Sequence, residues 1–240
     1  GIADTGRFNY HLNKLRDRFI VKRDGGYAPT AVGLKAIGSI ESGMYSTKLD
    51  PKESSIAQTC PDCDEQLIAR YEDQLVTIEC EEDGIRIQTT IPPSAAVNSD
   101  VQEIVEFTMG EIQRDLAAIV DGVCPLCSGS IKTTGIDRGD DDRLSITREC
   151  RNCWMVTSFP IGVAVLNHPA VISLYYDHGV DIRRQFLIDL DFTESKSNAE
   201  QISEDPTVIE LTIHLEGDEL VLEIDDELNV SERRPDDIHG

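Results

Sequence analysis

Apolar side chains in the first forty residues follow a helical period twice. The first stripe consists of Phe8, Leu12, Leu15 and Phe19. This spacing predicts an amphipathic helix from Asp4 to Arg18, with Asp4 or Thr5 as its N-cap. A second helix is predicted from Thr30 to about Ser42. Its expected buried stripe consists of Val32, Ala36, Ile37 and Ile40.

A short hairpin is predicted between these two helices. Ile20-Val21-Lys22-Arg23 is followed by the turn Asp24-Gly25-Gly26 and then by Tyr27-Ala28. A glycine-rich turn between two short runs of strand-forming residues is typical of a β-hairpin. Helix, two-stranded wing and helix follow one another in a winged helix-turn-helix. Residues 1–47 are therefore predicted to be the C-terminal part of such a domain.

Beyond residue 98, helical and strand-like patterns alternate. Strand-like segments cover residues 156–165 and 186–191, and Thr207–Leu215 and Glu219–Ile224 flank a Gly217-Asp218 turn. They predict a small antiparallel sheet within an acidic helix and sheet region, residues 166–240. Pro169 and Gly179 bracket a short helix. A linking helix is predicted over residues 99–120 from Val101, Ile104, Val105, Met109, Ile112, Leu116 and Ile119.

Four cysteines form two C-x₂-C pairs, Cys124 with Cys127 and Cys150 with Cys153. Two such turns direct four thiolates toward one ion, in the tetrahedral arrangement that zinc accepts. The residues between the pairs alternate like two strands joined by an acidic loop. We therefore predict a zinc ribbon over residues 121–165, with structural Zn²⁺ rather than a disulfide framework. All four ligands come from protein, which leaves no open position for catalysis by this zinc.

The remaining three cysteines repeat this pattern imperfectly. Cys60 and Cys63 form a C-x₂-C pair, a strand-like segment follows, and Cys80 precedes Asp83 at the position of a fourth ligand. Asp can ligate zinc through oxygen, so a Cys₃Asp site is one interpretation. The other is a ribbon over residues 56–98 that has lost its metal and keeps its fold through apolar contacts. The sequence leaves both open.

Charge divides the chain into two unequal parts. The net charge is −23, which by itself disfavours a nucleic-acid partner. Residues 1–48, however, carry eight basic and four acidic side chains, whereas residues 189–240 carry 17 acidic and three basic ones. A basic segment in an acidic chain is what a DNA-contacting module would look like. The spread of acid over the remainder resembles the composition of proteins from salt-loving archaea.

No stretch of 18 apolar residues and no signal peptide is visible, so we expect no membrane segment and a cytoplasmic location. The chain begins at Gly1 inside what looks like a domain, and we expect it to be part of a longer protein.

The segments Gly6–Leu15, Phe19–Val21 and Gly26–Thr30 resemble the second half of an ArsR/MarR-type winged-helix domain. The earlier helices and first strand of that family are absent from this chain. The resemblance implies that the helix before the wing reads DNA. Major-groove contacts would then come from Arg7, Asn9, Tyr10 and Asn13, and phosphate or minor-groove contacts from Lys14, Lys22 and Arg23.

The order of parts also resembles archaeal winged-helix regulators with cysteine-containing C-terminal regions. This similarity extends through Cys124–Cys127 and His168–Val171 to Tyr176–Asp181.

The expected fold class is therefore α+β, with a partial winged helix-turn-helix, two zinc-ribbon-like modules, a linking helix and a C-terminal antiparallel sheet. The expected function is transcriptional regulation by a homodimer that binds double-stranded DNA. The alternative is a zinc-ribbon adaptor whose winged helix binds protein. No catalytic residues are predicted. We interpret His168 as a neighbour of a helix N-cap, and Asp177 and His178 as solvated residues at a helix C-terminus, rather than as a metal or acid–base set.

Overall fold

The computed structural model describes residues 5–139, 143–194 and 198–233, which form a mixed α+β structure with several antiparallel sheets. The chain divides into two compact units. Unit 1 comprises Gly1–Thr59 and Glu65–Val105, and unit 2 comprises Cys60–Asp64 and Glu106–Gly240. No helix in the described part of the chain is long and apolar enough to cross a membrane.

Unit 1 begins with a helix, a hairpin and a second helix, in the predicted order. Helix α1 spans Thr5–Leu15, strands β1 and β2 span Ile20–Arg23 and Gly26–Pro29, and helix α2 spans Ala31–Glu41. The two strands pair antiparallel. Helix α1 is shorter than predicted, since it ends before Asp17, whose φ of 67° is left-handed. The proposed N-cap Asp4 lies outside the described residues.

Helix α2 begins as predicted, because the Thr30 hydroxyl oxygen accepts a hydrogen bond from the Gly33 backbone N–H at 3.1 Å. Gly33 is buried against the preceding chain. A Cβ at this position would lie 2.0 Å from the Phe19 carbonyl oxygen, so the close approach of the helix requires glycine.

The predicted buried stripe of α2 is wrong. Val32, Ile37 and Ile40 are 49%, 48% and 62% exposed, and Ala36 is half-buried. These side chains follow a helical period, but no element of the described residues covers them. A helical period identifies an apolar face and does not supply the surface that would bury it.

The rest of unit 1 is built on a four-stranded antiparallel sheet in chain order. Its strands are β3 (Lys52–Thr59), β4 (Gln66–Glu72), β5 (Leu75–Cys80) and β6 (Gly84–Thr90). Alternate residues of β4 and β5 point into the core, as expected for a sheet with one covered face. The fully buried side chains include Leu67, Tyr71, Val76, Ile78 and Ile91. A short helix, α3, follows at Pro93–Ala96.

The predicted linking helix is confirmed as α4, Val101–Val120. A reciprocal capping box starts it: the Asp100 N–H donates to the Glu103 carboxylate, and the Glu103 N–H donates to the Asp100 carboxylate, both at 2.9 Å. Ile104, Val105 and Ile119 of its apolar stripe are buried.

Unit 2 contains two antiparallel sheets. The first has three strands, β7 (Ile131–Arg138), β8 (Leu144–Cys150) and β9 (Val156–Pro160). The second has four strands in chain order, and β11 and β12 confirm the predicted hairpin around Gly217. Their bounds are β10 Ala199–Glu204, β11 Thr207–Leu215, β12 Asp218–Ile224 and β13 Val230–Glu232. One apolar core contains residues of both sheets, such as Ile146, Leu211 and Leu222, together with Ile161 and Val171 from the helical segments between the sheets.

Two predicted strands of unit 2 differ from the structure, the first over half of its length and the second entirely. Only the first half of residues 156–165 is a strand, and Ile161–Val165 forms a 3₁₀ helix whose five residues are all buried. Residues 186–191 contain a 3₁₀ turn, Leu187–Asp189, and then helix α6, Asp191–Glu194. Short apolar runs that are buried on all sides carry no period that separates strand from helix. The predicted short helix is confirmed as α5, Pro169–Asp177.

Candidate functional site

The four cysteines of the ribbon predicted over residues 121–165, which is the second ribbon in chain order, converge as predicted. The ribbon predicted over residues 56–98 is the first. Strands β7 and β8 pair with Ile131 opposite Cys150, which brings both C-x₂-C turns to one end of the hairpin. The sulfurs of Cys124 and Cys153 lie 3.6 Å apart, and those of Cys127 and Cys150 lie 3.5 Å apart. Zn–S bonds of about 2.3 Å in a tetrahedron place sulfurs about 3.8 Å apart, whereas a disulfide would bring them to about 2.0 Å. The geometry fits one tetrahedral ion.

The thiols of this group differ in acidity. The pKa of Cys150 is lowered to about 6, first because the backbone N–H groups of Cys153 and Asn152 hydrogen-bond to its sulfur. The Gly129 N–H acts in the same direction on Cys127, but desolvation and the neighbouring thiols outweigh it and raise the pKa of Cys127 to about 12. Cys127 would therefore ionise beside the Cys150 thiolate only if a cation offset the negative charge.

One backbone feature is shared by the four turns that carry the candidate ligands in the described part of the chain. In each, the residue after the second ligand position has a left-handed φ, between 57° and 78°. In two of the turns the N–H of that residue also donates to the carbonyl of the first cysteine, at 2.8–2.9 Å. The four left-handed residues are Asp64, Gly84, Ser128 and Trp154. Gly84 directly follows Asp83, so the local backbone places Asp83 where the other turns have a cysteine.

A second candidate metal group lies at the two of these turns that come first in the chain, those that precede Asp64 and Gly84. The ligand atoms of Cys60, Cys63, Cys80 and Asp83 all lie within 4.8 Å of one another. The Asp83 Oδ2 atom is 3.6 Å from the Cys80 sulfur. Cys60 and Cys80 are buried, and Asp83 is exposed. Both groups could hold a metal ion, and three or four thiolates with at most one carboxylate suit zinc. None of the seven cysteines forms a disulfide.

The residues predicted to contact DNA lie on α1 and on the hairpin. All seven are exposed, and the Lys14 ammonium lies 5.5 Å from the centre of the Tyr10 ring. Lys22 and Arg23 pair with Tyr27 and Gly26, next to the turn of the hairpin. The seven residues are Arg7, Asn9, Tyr10, Asn13, Lys14, Lys22 and Arg23.

Sequence reasoning missed Arg148. Strand β8 alternates buried and half-buried residues, and Arg148 occupies a buried position between Ile146 and Cys150. Its Nη1 donates to the carbonyl oxygens of Ile119 and Val120, at 2.6 and 3.1 Å, and so caps the C-terminal end of α4. The alternation of Leu144, Ile146 and Cys150 was the sequence signal that could have identified an inward-pointing arginine.

The interpretation of His178 as a solvated residue is wrong. Its side chain is 16% exposed, and its ring nitrogens lie 3.2 Å from Glu216 and 3.0 Å from Asp218. Hydrogen bonds first to Asp218 and then to Glu216 raise the pKa of His178. Asp177 is exposed, as expected, and His168 is itself the N-cap residue of α5. These residues do not form a metal group among the described residues.

Comparison with known protein families shows two matches. Residues 57–230 match the model of a domain of unknown function, DUF7351, and residues 1–40 match a second domain of unknown function, DUF7347. The first match covers more than half of the chain, which therefore belongs to the DUF7351 family. No curated protein and no solved structure matches the chain.

Proposed function

We propose that this chain is a DNA-binding transcriptional regulator in which residues 1–47 contact double-stranded DNA and zinc stabilises two ribbon modules. The observation that carries the proposal is the exposure of a polar helix surface directly followed by a basic hairpin. The seven residues that could contact base edges or phosphates are exposed on these two adjacent elements.

The dimensions of α1 suit the major groove. From Arg7 to Asn13 the helix advances about 9 Å, at about 1.5 Å per residue, and the major groove of B-DNA is about 12 Å wide and admits a helix. Arginine pairs with guanine and asparagine with adenine edges. Lys22 and Arg23, next to the hairpin turn, would contact phosphates and position the helix without reading sequence.

The acidic remainder restricts DNA binding to this segment. Residues 1–48 carry a net charge of +4 in a chain whose total is −23, so the other surfaces repel phosphate. Both metal groups would be closed sites whose ligands all come from protein, and we assign them a structural rather than a catalytic role. We also propose that the regulator acts as a homodimer in the cytoplasm.

Binding of the zinc-loaded full chain to a pool of random-sequence duplexes, with selection of the retained DNA, tests the proposal. We expect a selected sequence for the parent and loss of selective retention in Arg7→Ala/Asn9→Ala. In Lys22→Ala/Arg23→Ala the slope of log affinity against log salt should fall by about 2, because about 0.9 counterions are released per phosphate contact.

Arg18→Ala/Lys35→Ala is the matched control, since it removes two charges from the same segment outside the proposed contacts. The slope of log affinity against log salt should stay close to the parent value in this control. Absence of DNA retention by the parent, or equal slopes in the two double variants, would contradict the proposal.

A second function, that of a protein-binding adaptor, is favoured by one specific observation. Leu34, Ile37 and Ile40 of α2 are 58%, 48% and 62% exposed, and exposed apolar faces of this kind commonly mark protein interfaces. Under this alternative, Arg7→Ala/Asn9→Ala leaves DNA retention unchanged, whereas Ile37→Ser/Ile40→Ser abolishes binding of the protein partner. The DNA experiment therefore separates the two functions.

A further inference from the structure

The seven cysteines differ in their exposure to solvent. All seven lie within the described residues, and Cys127 is the only exposed one, since the other six are buried or half-buried. Its neighbours along the chain do not cover it, because Leu126 is 74% exposed and Ser128 and Gly129 are exposed as well. Free cysteine is among the most buried residue types. The exposed position makes Cys127 the cysteine that a reagent in solution meets first.

A second sulfur lies beside the exposed one. The sulfurs of Cys127 and Cys150 are 3.5 Å apart, and a disulfide would bring them to about 2.0 Å, a shift of about 1.5 Å. Cys150 is 0% exposed, so it is reached through Cys127 and not from solvent. A solvent-accessible thiolate next to a second cysteine is the arrangement that redox-sensitive thiols use.

The metal supplies the reactive form of Cys127. A cysteine that binds zinc does so as a thiolate, and the thiolate is also the form that attacks oxidants. The inference therefore rests on the zinc that we propose for the second ribbon, and it does not depend on DNA binding.

The charge of the chain favours one class of oxidant. The net charge is −23, which repels anionic oxidants such as glutathione disulfide. Hydrogen peroxide is small and neutral, so this charge does not hinder its approach to the exposed turn.

We propose that Cys127 is a site of reversible oxidation by hydrogen peroxide, that Cys150 joins it in a disulfide, and that the second ribbon releases its zinc as a result. In the first step the Cys127 thiolate attacks one peroxide oxygen. The S–O bond forms, the O–O bond breaks, and hydroxide leaves and takes up a proton from the solvent. Cys127 is then a sulfenic acid.

The second step forms the disulfide. The Cys150 thiolate attacks the Cys127 sulfur, so that the S–S bond forms, the S–O bond breaks and a second hydroxide leaves and becomes water. The two sulfurs lose two electrons, and the peroxide gains them. Only Cys124 and Cys153 remain as thiolate ligands, which is too few to hold a structural zinc ion.

Hydrogen peroxide added to the zinc-loaded full chain tests the proposal. The zinc ions are counted before peroxide is added, so failure of the proposed zinc binding is recognised separately. We then expect a chelator assay to record the release of one zinc ion per chain, dimedone to trap a sulfenic acid at Cys127, and peptide mapping to find the disulfide between Cys127 and Cys150. Glutathione disulfide should release zinc about tenfold more slowly. A thiol reductant and added zinc should restore the parent.

Two variants locate the reactive sulfur. Cys127→Asp copies the carboxylate of Asp83 in the first candidate group, so it keeps a ligand atom and removes the exposed sulfur. It should lose zinc to peroxide about tenfold more slowly than the parent. Cys153→Asp is the matched control, because it makes the same replacement at a half-buried ligand and leaves the pair of Cys127 and Cys150 intact. Its rate of zinc release should stay close to that of the parent.

Three results would overturn the proposal. They are a zinc-loaded parent that keeps its zinc in peroxide, a first modification at another cysteine, and equal rates of zinc release in the two variants. Dimedone trapping and disulfide mapping use the parent alone, so they decide the question even where a variant does not hold zinc.

Discussion

Replacing Asp83 by alanine decides whether the first ribbon binds zinc. Asp83 is the sole oxygen ligand in a group whose four ligand atoms lie within 4.8 Å of one another. Its carboxylate is 3.6 Å from the Cys80 sulfur, and the left-handed Gly84 behind it completes the turn seen at the three C-x₂-C pairs. If the group binds zinc, Asp83→Ala removes one of four ligands and leaves three thiolates in place.

The size of the effect follows from the energetics of structural zinc. Binding free energies of roughly 10–16 kcal/mol are shared among four ligands, so one ligand is worth on the order of 3 kcal/mol. A loss of that size weakens affinity about 100-fold. A water molecule that replaces the carboxylate would reduce the loss, so we expect a 10- to 100-fold increase in the Kd of one zinc and no change at the other.

Competition with a chromophoric chelator measures the zinc affinity of each site, and mass spectrometry counts the zinc ions bound per chain. The parent should hold two zinc ions, and Cys150→Ser should hold one. Glu82→Ala is the matched control, because it removes the same charge from the same exposed turn without removing a ligand. Asp83→Cys should bind at least as tightly as the parent.

Two outcomes would refute this reasoning. One is equal zinc affinity in Asp83→Ala and Glu82→Ala. The other is a parent with a single zinc that Cys150→Ser loses entirely, which would mean that the first ribbon is held by its apolar contacts alone.

Two further predictions concern stability in unit 2. Gly162→Ala places a Cβ 1.9 Å from a backbone carbonyl oxygen of α6, and we expect a loss of about 3 kcal/mol in urea unfolding. Gly110→Ala, in open space on α4, should instead add about 0.5–1 kcal/mol; similar effects of the two variants would contradict the packing described. The second prediction concerns His178, whose hydrogen bonds to Asp218 and Glu216 raise its pKa. The contribution of these bonds to the free energy of unfolding should be complete below a pH of about 6.5. It should disappear as the pH rises through the raised pKa. The difference in unfolding free energy between the parent and His178→Gln should therefore shrink as the pH rises above about 6.5, and a constant difference would rule out this ion pair.

The metal groups were the most predictable part of this protein. A C-x₂-C turn is a local structure, and the sequence contains its ligands in order, so Cys124, Cys127, Cys150 and Cys153 could be assigned from spacing alone. The hairpin at Gly25-Gly26 and the long helix α4 were equally accessible, because turn chemistry and helical period act over a few residues.

The burial of side chains could not be predicted from the sequence in the same way. The apolar stripe of α2 has the period of a buried face, yet it is exposed, since burial depends on whether another element covers it. The run at Ile161–Val165 looked like a strand and is a buried 3₁₀ helix, because contact on all sides removes the alternation that identifies strands.

The sequence by itself determined the metal-ligand turns, the hairpins and the long helix, since each depends on residues close together in the chain. Only the tertiary structure decided the partners of Arg148 and His178. Arg148 contacts residues about 28 positions away, and His178 contacts acids about 40 positions away. Such pairs depend on how strands and helices pack, and packing is set by the whole core rather than by any local pattern.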